Sequence, residues 1–297
     1  MKTSMKTPTF YFVDVFAEEK YAGNQLAVVM DTDSLSDEQM QKIADEIHFS
    51  ETTFVLPKKQ NTKEFNVRIF TPTTELPFAG HPTLGTAYVI KHSKTNNKTK
   101  QITLNLKAGK VPVTFEQKDG KEILWMKQLK PVFGKTFQID QFRSLLNLEK
   151  SDFDSKYVIQ EISTGLPFII VPLKNLDAVK RARINPAKIH DFVKQTPAGI
   201  LIFSPETYDT NNQLNVRVFV DAFGIPEDPA TGSGNGCLAA YLSKNQYFGT
   251  HELNIKVEQG FEIRRPSKIY LKAQKEYNRL SIYIGGQVVF VAEGKLF

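Results

Sequence analysis

Two segments of the chain, residues 82–91 and 234–244, are apolar on almost every side, as is typical of helices buried in a core. A helix with one apolar face is predicted after a capping box that begins at Ser36, and further helices are predicted near residues 138–147 and 186–194. Most of the remaining apolar residues fall in short runs with strand composition. These predicted strands cover residues 10–16, 26–30, 52–56, 65–70, 102–106, 111–115, 122–126, 157–162, 168–172, 200–203, 214–220, 253–257, 269–272, 280–284 and 287–292. Many short strands with few helices predict an α+β protein.

A long internal repeat relates the two halves of the chain. The run NVRIF at 66–70 and the run NVRVF at 215–219 each lead into a loop with a carboxylate and a proline. Gly-His or Gly-Ser follows, and then one of the two apolar helices. We therefore expect two pseudo-symmetric lobes, each a curved, mainly antiparallel, barrel-like sheet wrapped around a central buried helix. The expected lobes are residues 1–127 and 128–284, and the last strand, at about 285–297, is expected to return to the first lobe.

Composition narrows the class of protein. Lys and Arg number 38 against 32 Asp and Glu, which gives a net charge of +6, but the densest basic stretch, residues 91–100, is rich in Asn and Thr and has no aromatic residue. It is interpreted as a solvated loop, so no nucleic-acid partner is expected. The single cysteine, Cys237, allows neither an intrachain disulfide nor a zinc cluster, and no metal site is expected. No apolar run is long enough for a membrane span, and a cytoplasmic location is expected.

The two repeat loops are the natural place for chemistry. Each delivers the chain into a helix N-terminus, at Gly80-His81-Pro82 and at Gly232-Ser233, where free amides and the helix dipole favour an anion. Pro82 suits the first helical position. Two such ends facing one another predict a clamp for a small carboxylate substrate. Candidates for proton transfer near these turns are Glu51, Glu75, His81, Glu227 and Asp228.

Several of these residues have a second interpretation. A lone glutamate is most often a surface residue, His81 could serve in helix capping or in the core, and Asp228 could be a turn residue before its proline. Arg68 and Arg217, the paired arginines of the repeat, either brace the lobes through salt bridges or sit over anionic groups.

The residues resemble those of a known family. The runs FVDVF…GNQLAVV, SETTFV, RIFTPTTELPFAGHPTLGTA and EDPATGSGNGCLAAYL resemble the PhzF family of phenazine biosynthesis-like isomerases over essentially the whole chain. The resemblance implies a diaminopimelate-epimerase-like fold, a site in the cleft between the lobes, no cofactor and a homodimer. It implies that the residue matching Glu51 shuttles a proton, and that those matching Gly80, His81, Pro82, Asp228, Gly232 and Ser233 bind the substrate, His81 and Asp228 also assisting in catalysis.

Comparison with the epimerases of this fold separates two mechanisms. Those enzymes resemble the chain at the same loops but carry a cysteine before each glycine, where this chain has Ala79 and Thr231. A two-thiol epimerisation is therefore not expected. The leading hypothesis is a cofactor-independent isomerase that moves a proton on a small carboxylic acid through Glu51. The alternatives are an epimerase or racemase that uses Glu51 with Asp228 or His81 as the opposite base, and a non-catalytic metabolite-binding protein.

Overall fold

A computed structural model describes residues 7–57, 64–95, 99–223, 225–276 and 279–297. The chain divides into two compact units. The first unit comprises Met1–Lys127 and Gly285–Phe297, and the second comprises Gln128–Ile284. None of the helices in the described ranges is long and apolar enough to span a membrane.

The first unit is built from nine strands and two α-helices among the described residues. The strands are β1 (Thr9–Val15), β2 (Asn24–Met30), β3 (Thr52–Val55), β4 (Glu64–Phe70), β5 (Glu75–Leu76), β6 (Gln101–Leu106), β7 (Gly109–Lys118), β8 (Lys121–Lys127) and, from the end of the chain, β18 (Val288–Lys295). The helices are α1 (Asp37–Ile47) and α2 (Gly80–Lys94).

The second unit contains the remaining described strands and four α-helices. The strands are β9 (Val132–Phe137), β10 (Ile159–Ser163), β11 (Pro167–Pro172), β12 (Gly199–Ser204), β13 (Leu214–Val220), β14 (Ile225–Asp228), β15 (Leu253–Gln259), β16 (Ser267–Glu276) and most of β17 (Arg279–Gly286). The helices are α3 (Ile139–Leu146), α4 (Leu176–Arg181), α5 (Pro186–Gln195) and α6 (Gly232–Lys244).

The strand order of the first unit is β18-β1-β2-β3-β4-β6-β7-β8, with β5 paired to β4. Only the β2–β3 and β4–β6 pairs are parallel within this order, and each is joined through a helix. The strand order of the second unit is β9-β10-β11-β12-β13-β15-β16, with β14 paired to β13. Its parallel pairs, β11–β12 and β13–β15, occupy the same positions in the strand order as β2–β3 and β4–β6. The sequence repeat is therefore a repeat of topology.

In the first unit, α2 contacts strands from both ends of the sheet, so the sheet wraps around it. Alternation along β3 places helices on both faces, because Thr53 bonds to Thr86 of α2 at 2.7 Å while Phe54 packs with Met40 of α1. The approach of α2 is close. A Cβ at Gly85 would lie 2.5 Å from a methyl of Leu26, so the helix needs a glycine there.

In the second unit, α6 contacts β10, β11, β12 and β16 and is buried along nearly its whole length. The outer face of the sheet is covered by α3, α4 and α5, through a cluster that includes Phe142, Leu146, Val179, Ile200 and Phe219. The predicted fold class, α+β with a curved, mainly antiparallel sheet around one buried helix in each unit, is confirmed.

The structure corrects several details of the sequence interpretation, and the strands β5, β9 and β14 were not predicted. The helix predicted from residue 82 begins at Gly80 with Ala79 as its N-cap, so Pro82 occupies the third helical position and not the first. Pro82 is tolerated there because the N–H groups of the first turn have no partner within a helix. The short helix α4 was not predicted, since its apolar positions are too few to show a period.

Candidate active site

The helix α2 starts without the side-chain caps that α1, α3, α4 and α5 carry. Its N-cap, Ala79, offers no side-chain hydrogen bond, and its first turn holds no acidic residue. Side chains cap α1, α3, α4 and α5 instead, by capping boxes or an N-cap asparagine. The Thr83 hydroxyl donates to the Ala79 carbonyl at 2.7 Å, which steadies the turn from inside. The start of α2 therefore keeps its positive dipole end available to an anion.

Glu51 lies beside this helix start. The helix α1 ends at His48 in the left-handed conformation (φ 58°), which turns the chain towards β3 and leaves Glu51 in the short connection. Its side chain is 15% exposed, and its Oε2 lies 3.4 Å from Nε2 of His81. The sequence-predicted pair of Glu51 and His81 is thus brought together within the first unit.

His81 is a neutral imidazole. Burial lowers its pKa from 6.5 to about 3, against a smaller opposing effect of a hydrogen bond to the backbone of Gln25. Nε2 is buried and makes no hydrogen bond to the described residues. The bond to Gln25 is therefore made by Nδ1, and since this bond favours the protonated ring, Nδ1 is its donor. The nitrogen that lies 3.4 Å from Oε2 of Glu51 is consequently the unprotonated one.

The helix α6 starts in the same way in the second unit. Its N-cap, Thr231, makes no side-chain bond to the helix, and no acidic residue lies in the first turn. The Thr231 hydroxyl donates instead to Oδ2 of Asp228 at 2.5 Å. Asp228 is 8% exposed at the end of β14. Of the other predicted residues, Gly232 is buried and Ser233 half-buried at the helix start.

A buried glutamine that the sequence did not single out organises this loop. Gln259 has no exposed surface, and its Nε2 donates to the Asp228 carbonyl at 2.7 Å and to the Thr231 hydroxyl at 3.0 Å. Its Oε1 accepts from the Thr231 amide at 3.2 Å and from Asn235 at 2.9 Å. Ser267 adds a bond to the Pro229 carbonyl at 3.0 Å. No pattern in a single sequence marks Gln259, because its partners are reached only through the fold.

Two proton-transfer candidates have a structural role instead. Glu75 accepts bonds from Nε and Nη2 of Arg68 at 2.8 and 3.0 Å, and the bond to Arg68 holds the pKa of Glu75 below its usual range. Glu227 accepts from Nε and Nη2 of Arg217, both at 2.9 Å. Bidentate pairs of this kind bind the carboxylate on both oxygens. The interpretation of the arginines as braces therefore holds within each unit, and Glu75 and Glu227 leave the candidate site.

Cys237 does not take the place of the missing thiols. It lies fully buried in α6, and burial raises the pKa of its thiol to about 11, so the thiol is protonated near neutral pH. Its sulfur contacts Thr164 and the carbonyl of Leu166. Across the described ranges, no three His, Cys, Asp or Glu side chains are grouped so that they could hold a metal ion.

Comparison with known proteins gives the family of the chain. The family model described as phenazine biosynthesis-like protein matches residues 13–294. An uncharacterised isomerase of Pasteurella multocida is 38% identical over 304 residues, which cover 99% of this chain and 96% of that protein. Trans-2,3-dihydro-3-hydroxyanthranilate isomerase of Pseudomonas aeruginosa is 32% identical, over 97% of this chain and 99% of that protein.

The solved structures agree as well. The crystal structure of the Bacillus anthracis phenazine biosynthesis protein of the PhzF family is 32% identical, with a TM-score of 0.88 over 99% of this chain and 100% of that one. The relatives are named isomerases, and the chain is accordingly an enzyme of the isomerase class. The resemblance noted in the sequence is confirmed: the chain belongs to the PhzF family of phenazine biosynthesis-like proteins.

Proposed function

We propose that the chain is a cofactor-independent isomerase that moves a proton on a small carboxylic acid, with Glu51 as the acid/base. The observation that carries this proposal is the position of Glu51 at the uncapped start of α2, 3.4 Å from the neutral ring of His81. A general acid/base must lie within hydrogen-bond reach of the proton that it transfers, and therefore next to the bound substrate. A helix start without acidic side chains can bind the substrate carboxylate.

His81 supports the acid form of Glu51 in this proposal. The neutral Nε2 of His81 lies 3.4 Å from Oε2 of Glu51 and carries no proton that would stabilise a carboxylate there. A cationic imidazole would do the opposite and hold Glu51 as an anion, but its lowered pKa keeps His81 neutral. Glu51 can therefore give a proton to one carbon and take it back from another.

The uncapped starts of α2 and α6, one in each unit, are proposed to bind carboxylate groups. Amides of Gly80, His81, Gly232 and Ser233 are the proposed donors. Pro82, Asp228 and the Ser233 hydroxyl are proposed to contact the substrate beside them. The likeness of the two helix starts, both uncapped and without acidic residues, supports this placement.

The substrate class is proposed from the relatives. The Pseudomonas aeruginosa relative is named for trans-2,3-dihydro-3-hydroxyanthranilate, a cyclic unsaturated acid. An acid of this type has a carbon that can lose a proton and a conjugated carbon that can gain one. We take this compound as the first probe, followed by other unsaturated acids.

The test is proton exchange in D₂O. Wild-type protein is expected to introduce deuterium into the probe at the carbon that gains the proton, and Glu51→Gln is expected to slow this by about 10³-fold or more, because the amide cannot transfer a proton. Glu46→Gln, the same substitution at an exposed position of α1, is the matched control and should exchange as the wild type does. Circular dichroism checks that both variants are folded.

Three outcomes have distinct meanings. Exchange by Glu51→Gln at the wild-type rate removes Glu51 from the mechanism. Deuterium at an inverted stereocentre, with no shift of the double bond, identifies the epimerase alternative. Absence of exchange with every acid in the series removes this class of substrate. The epimerase alternative gains no support from His81, since an imidazole with a pKa of about 3 is a weak base near neutral pH.

We also propose that the chain forms a homodimer, on the basis of its resemblance to the family. Light scattering on the purified protein should then give about twice the chain mass of 33.7 kDa, and a mass of one chain would contradict the proposal.

A further inference from the structure

We infer that Thr231 and Gln259 are positioning residues for Asp228: together they fix Oδ2 of its carboxyl group as a hydrogen-bond acceptor. This inference rests on the proposed function, because it assigns a task to Asp228 within that site. The backbone groups nearby determine the direction of the hydrogen bonds around this carboxyl group.

The orientation of the Gln259 amide follows from its partners. The carbonyl of Asp228 can only accept a hydrogen bond, so the Gln259 atom at 2.7 Å from it must be the nitrogen. The Thr231 amide can only donate, so the Gln259 atom at 3.2 Å from it must be the oxygen. Two backbone groups with opposite demands thus exclude the flipped amide.

The direction of the Thr231 hydroxyl follows in turn. Gln259 Nε2 donates to Oγ1 at 3.0 Å, so that oxygen already serves as an acceptor on one side. The hydroxyl proton needs an acceptor of its own, and Oδ2 of Asp228, at 2.5 Å, is the one that the described residues supply. The hydroxyl therefore donates to Asp228. A proton placed on Oδ2 would leave a buried hydroxyl without an acceptor, at a cost of about 1–3 kcal/mol.

The consequence for Asp228 is electrostatic. If Oδ2 is held as an acceptor, the hydroxyl bond favours the charged form of the carboxyl group. Two other carboxylates lie at Arg217. Glu227, next on the strand, is paired with Arg217, and Glu262 lies 4.0 Å from the same arginine.

Comparison of the two repeat copies supports a joint role. Ile69 pairs with Leu76 as Val218 pairs with Asp228, so Leu76 occupies the place of Asp228 in the first copy. Ala79 is the N-cap that corresponds to Thr231.

The remaining partner corresponds as well. Asn66 and Asn215 pair with Asn105 and Glu258, which places Leu106 where the second copy has Gln259. Asp228, Thr231 and Gln259 are therefore polar together where Leu76, Ala79 and Leu106 are apolar together. Three separate changes that complete one hydrogen-bond chain indicate a shared task for it.

The test uses the isotope-labelled protein and needs no substrate. Carbon-13 labelling of the aspartate carboxyls, with Asp228→Asn to assign the resonance, allows the titration of Asp228 to be followed by NMR. Thr231→Val keeps the shape of the side chain but removes the hydroxyl, and the loss of a donor favours the protonated carboxyl. We expect the titration midpoint of Asp228 to rise by about one pH unit in Thr231→Val. Thr231→Ser, which keeps the hydroxyl, should restore the wild-type midpoint.

Gln259→Met removes the donor that fixes the hydroxyl, and it should move the midpoint in the same direction but by less. A midpoint that stays unchanged in Thr231→Val overturns the inference, even if the variant is less stable. Movement in Thr231→Val without movement in Gln259→Met overturns the part assigned to Gln259. The exchange assay adds a separate arm, in which Thr231→Val should lose about tenfold or more in kcat and Thr231→Ser less than threefold. Failure of the wild type to exchange any probe would remove the proposed function, while the NMR result would still decide this inference.

Discussion

The two buried helices both start without a side-chain cap, but the side chains around the two starts differ. At the start of α2, the N-cap is Ala79, and the nearest titratable pair is Glu51 with His81, whose Nε2 makes no hydrogen bond to the described residues. At the start of α6, the N-cap is Thr231, and its hydroxyl is held between Asp228 and Gln259. The first copy thus has a ring nitrogen without a hydrogen bond to the described residues, whereas in the second copy the polar side chains are hydrogen-bonded to one another.

This difference indicates that the two copies of the repeat have different chemical roles. An unsatisfied buried nitrogen is costly for stability, so it is retained where a partner arrives with the substrate. A closed chain of hydrogen bonds is rigid and suits a group that orients a ligand. In our proposal the first copy therefore transfers the proton and the second copy positions the acid.

The largest expected effect on stability comes from the arginines of the two copies. Arg217 is 4% exposed and bonds to Glu227 as well as to the carbonyls of Val179 and Ala182, at 2.9 and 2.8 Å. Arg217→Met should lower the free energy of unfolding by about 3–5 kcal/mol, because it leaves a buried carboxylate and two carbonyls without their donor. Urea denaturation followed by circular dichroism measures the loss.

Arg68 is the matched comparison. It binds Glu75 in the same bidentate way, but its side chain is 22% exposed and its third bond goes to Asp37, which is 84% exposed. Arg68→Met should therefore cost only about 1 kcal/mol. Equal losses in the two variants would contradict the argument from burial. Adding Glu227→Gln to Arg217→Met should recover part of the loss, since it removes the uncompensated charge.

The second expected effect is a dependence of stability on pH that arises in the first copy. The pKa of His81 is about 3 in the folded chain and about 6.5 when unfolded, so the unfolded chain binds one more proton between these values. The contribution of the neutral His81 to the free energy of unfolding is fully present above about pH 6.5, and it decreases as the pH is lowered. By pH 5 the loss should reach about 2 kcal/mol.

Replacement of the imidazole should remove this part of the acid sensitivity. The free energy of unfolding of His81→Asn, measured in urea at pH 7 and pH 5, should change less between the two than that of the wild type. His190→Asn, at an exposed position of α5, should keep the wild-type difference. A wild-type difference retained in His81→Asn would show that His81 is not the group responsible.

The sequence predicted the repeat, the two buried helices and the residues that resemble a family motif. It could do so because burial on every side and the N-V-R runs leave local patterns. Its broad set of proton-transfer candidates included Glu75 and Glu227, whose pairing with Arg68 and Arg217 depends on strand register. It missed Gln259, whose bonds to Asp228 span 31 positions of the chain. Side-chain partners that only the folded sheet brings together leave no local signal.

The smallest expected effect comes from adding an N-cap side chain to the start of α2. Ala79 already has the extended backbone of an N-cap (φ −150°, ψ 144°), so Ala79→Ser needs no rearrangement of the chain. Leu76 stands where the second copy has Asp228, so no carboxylate draws the new hydroxyl away from the helix. The serine should accept from the amide of His81, because Pro82 has no N–H to offer.

Ala79→Ser should therefore raise the free energy of unfolding by about 1 kcal/mol, measured in urea at pH 7. In the exchange assay it should raise KM for the acid, since the hydroxyl competes for an amide that we assign to the substrate carboxylate. Thr231→Ser is the matched control, because its hydroxyl remains engaged by Asp228 and should leave KM unchanged. A variant at Ala79 that gains stability and keeps its KM would show that the acid binds without the start of α2.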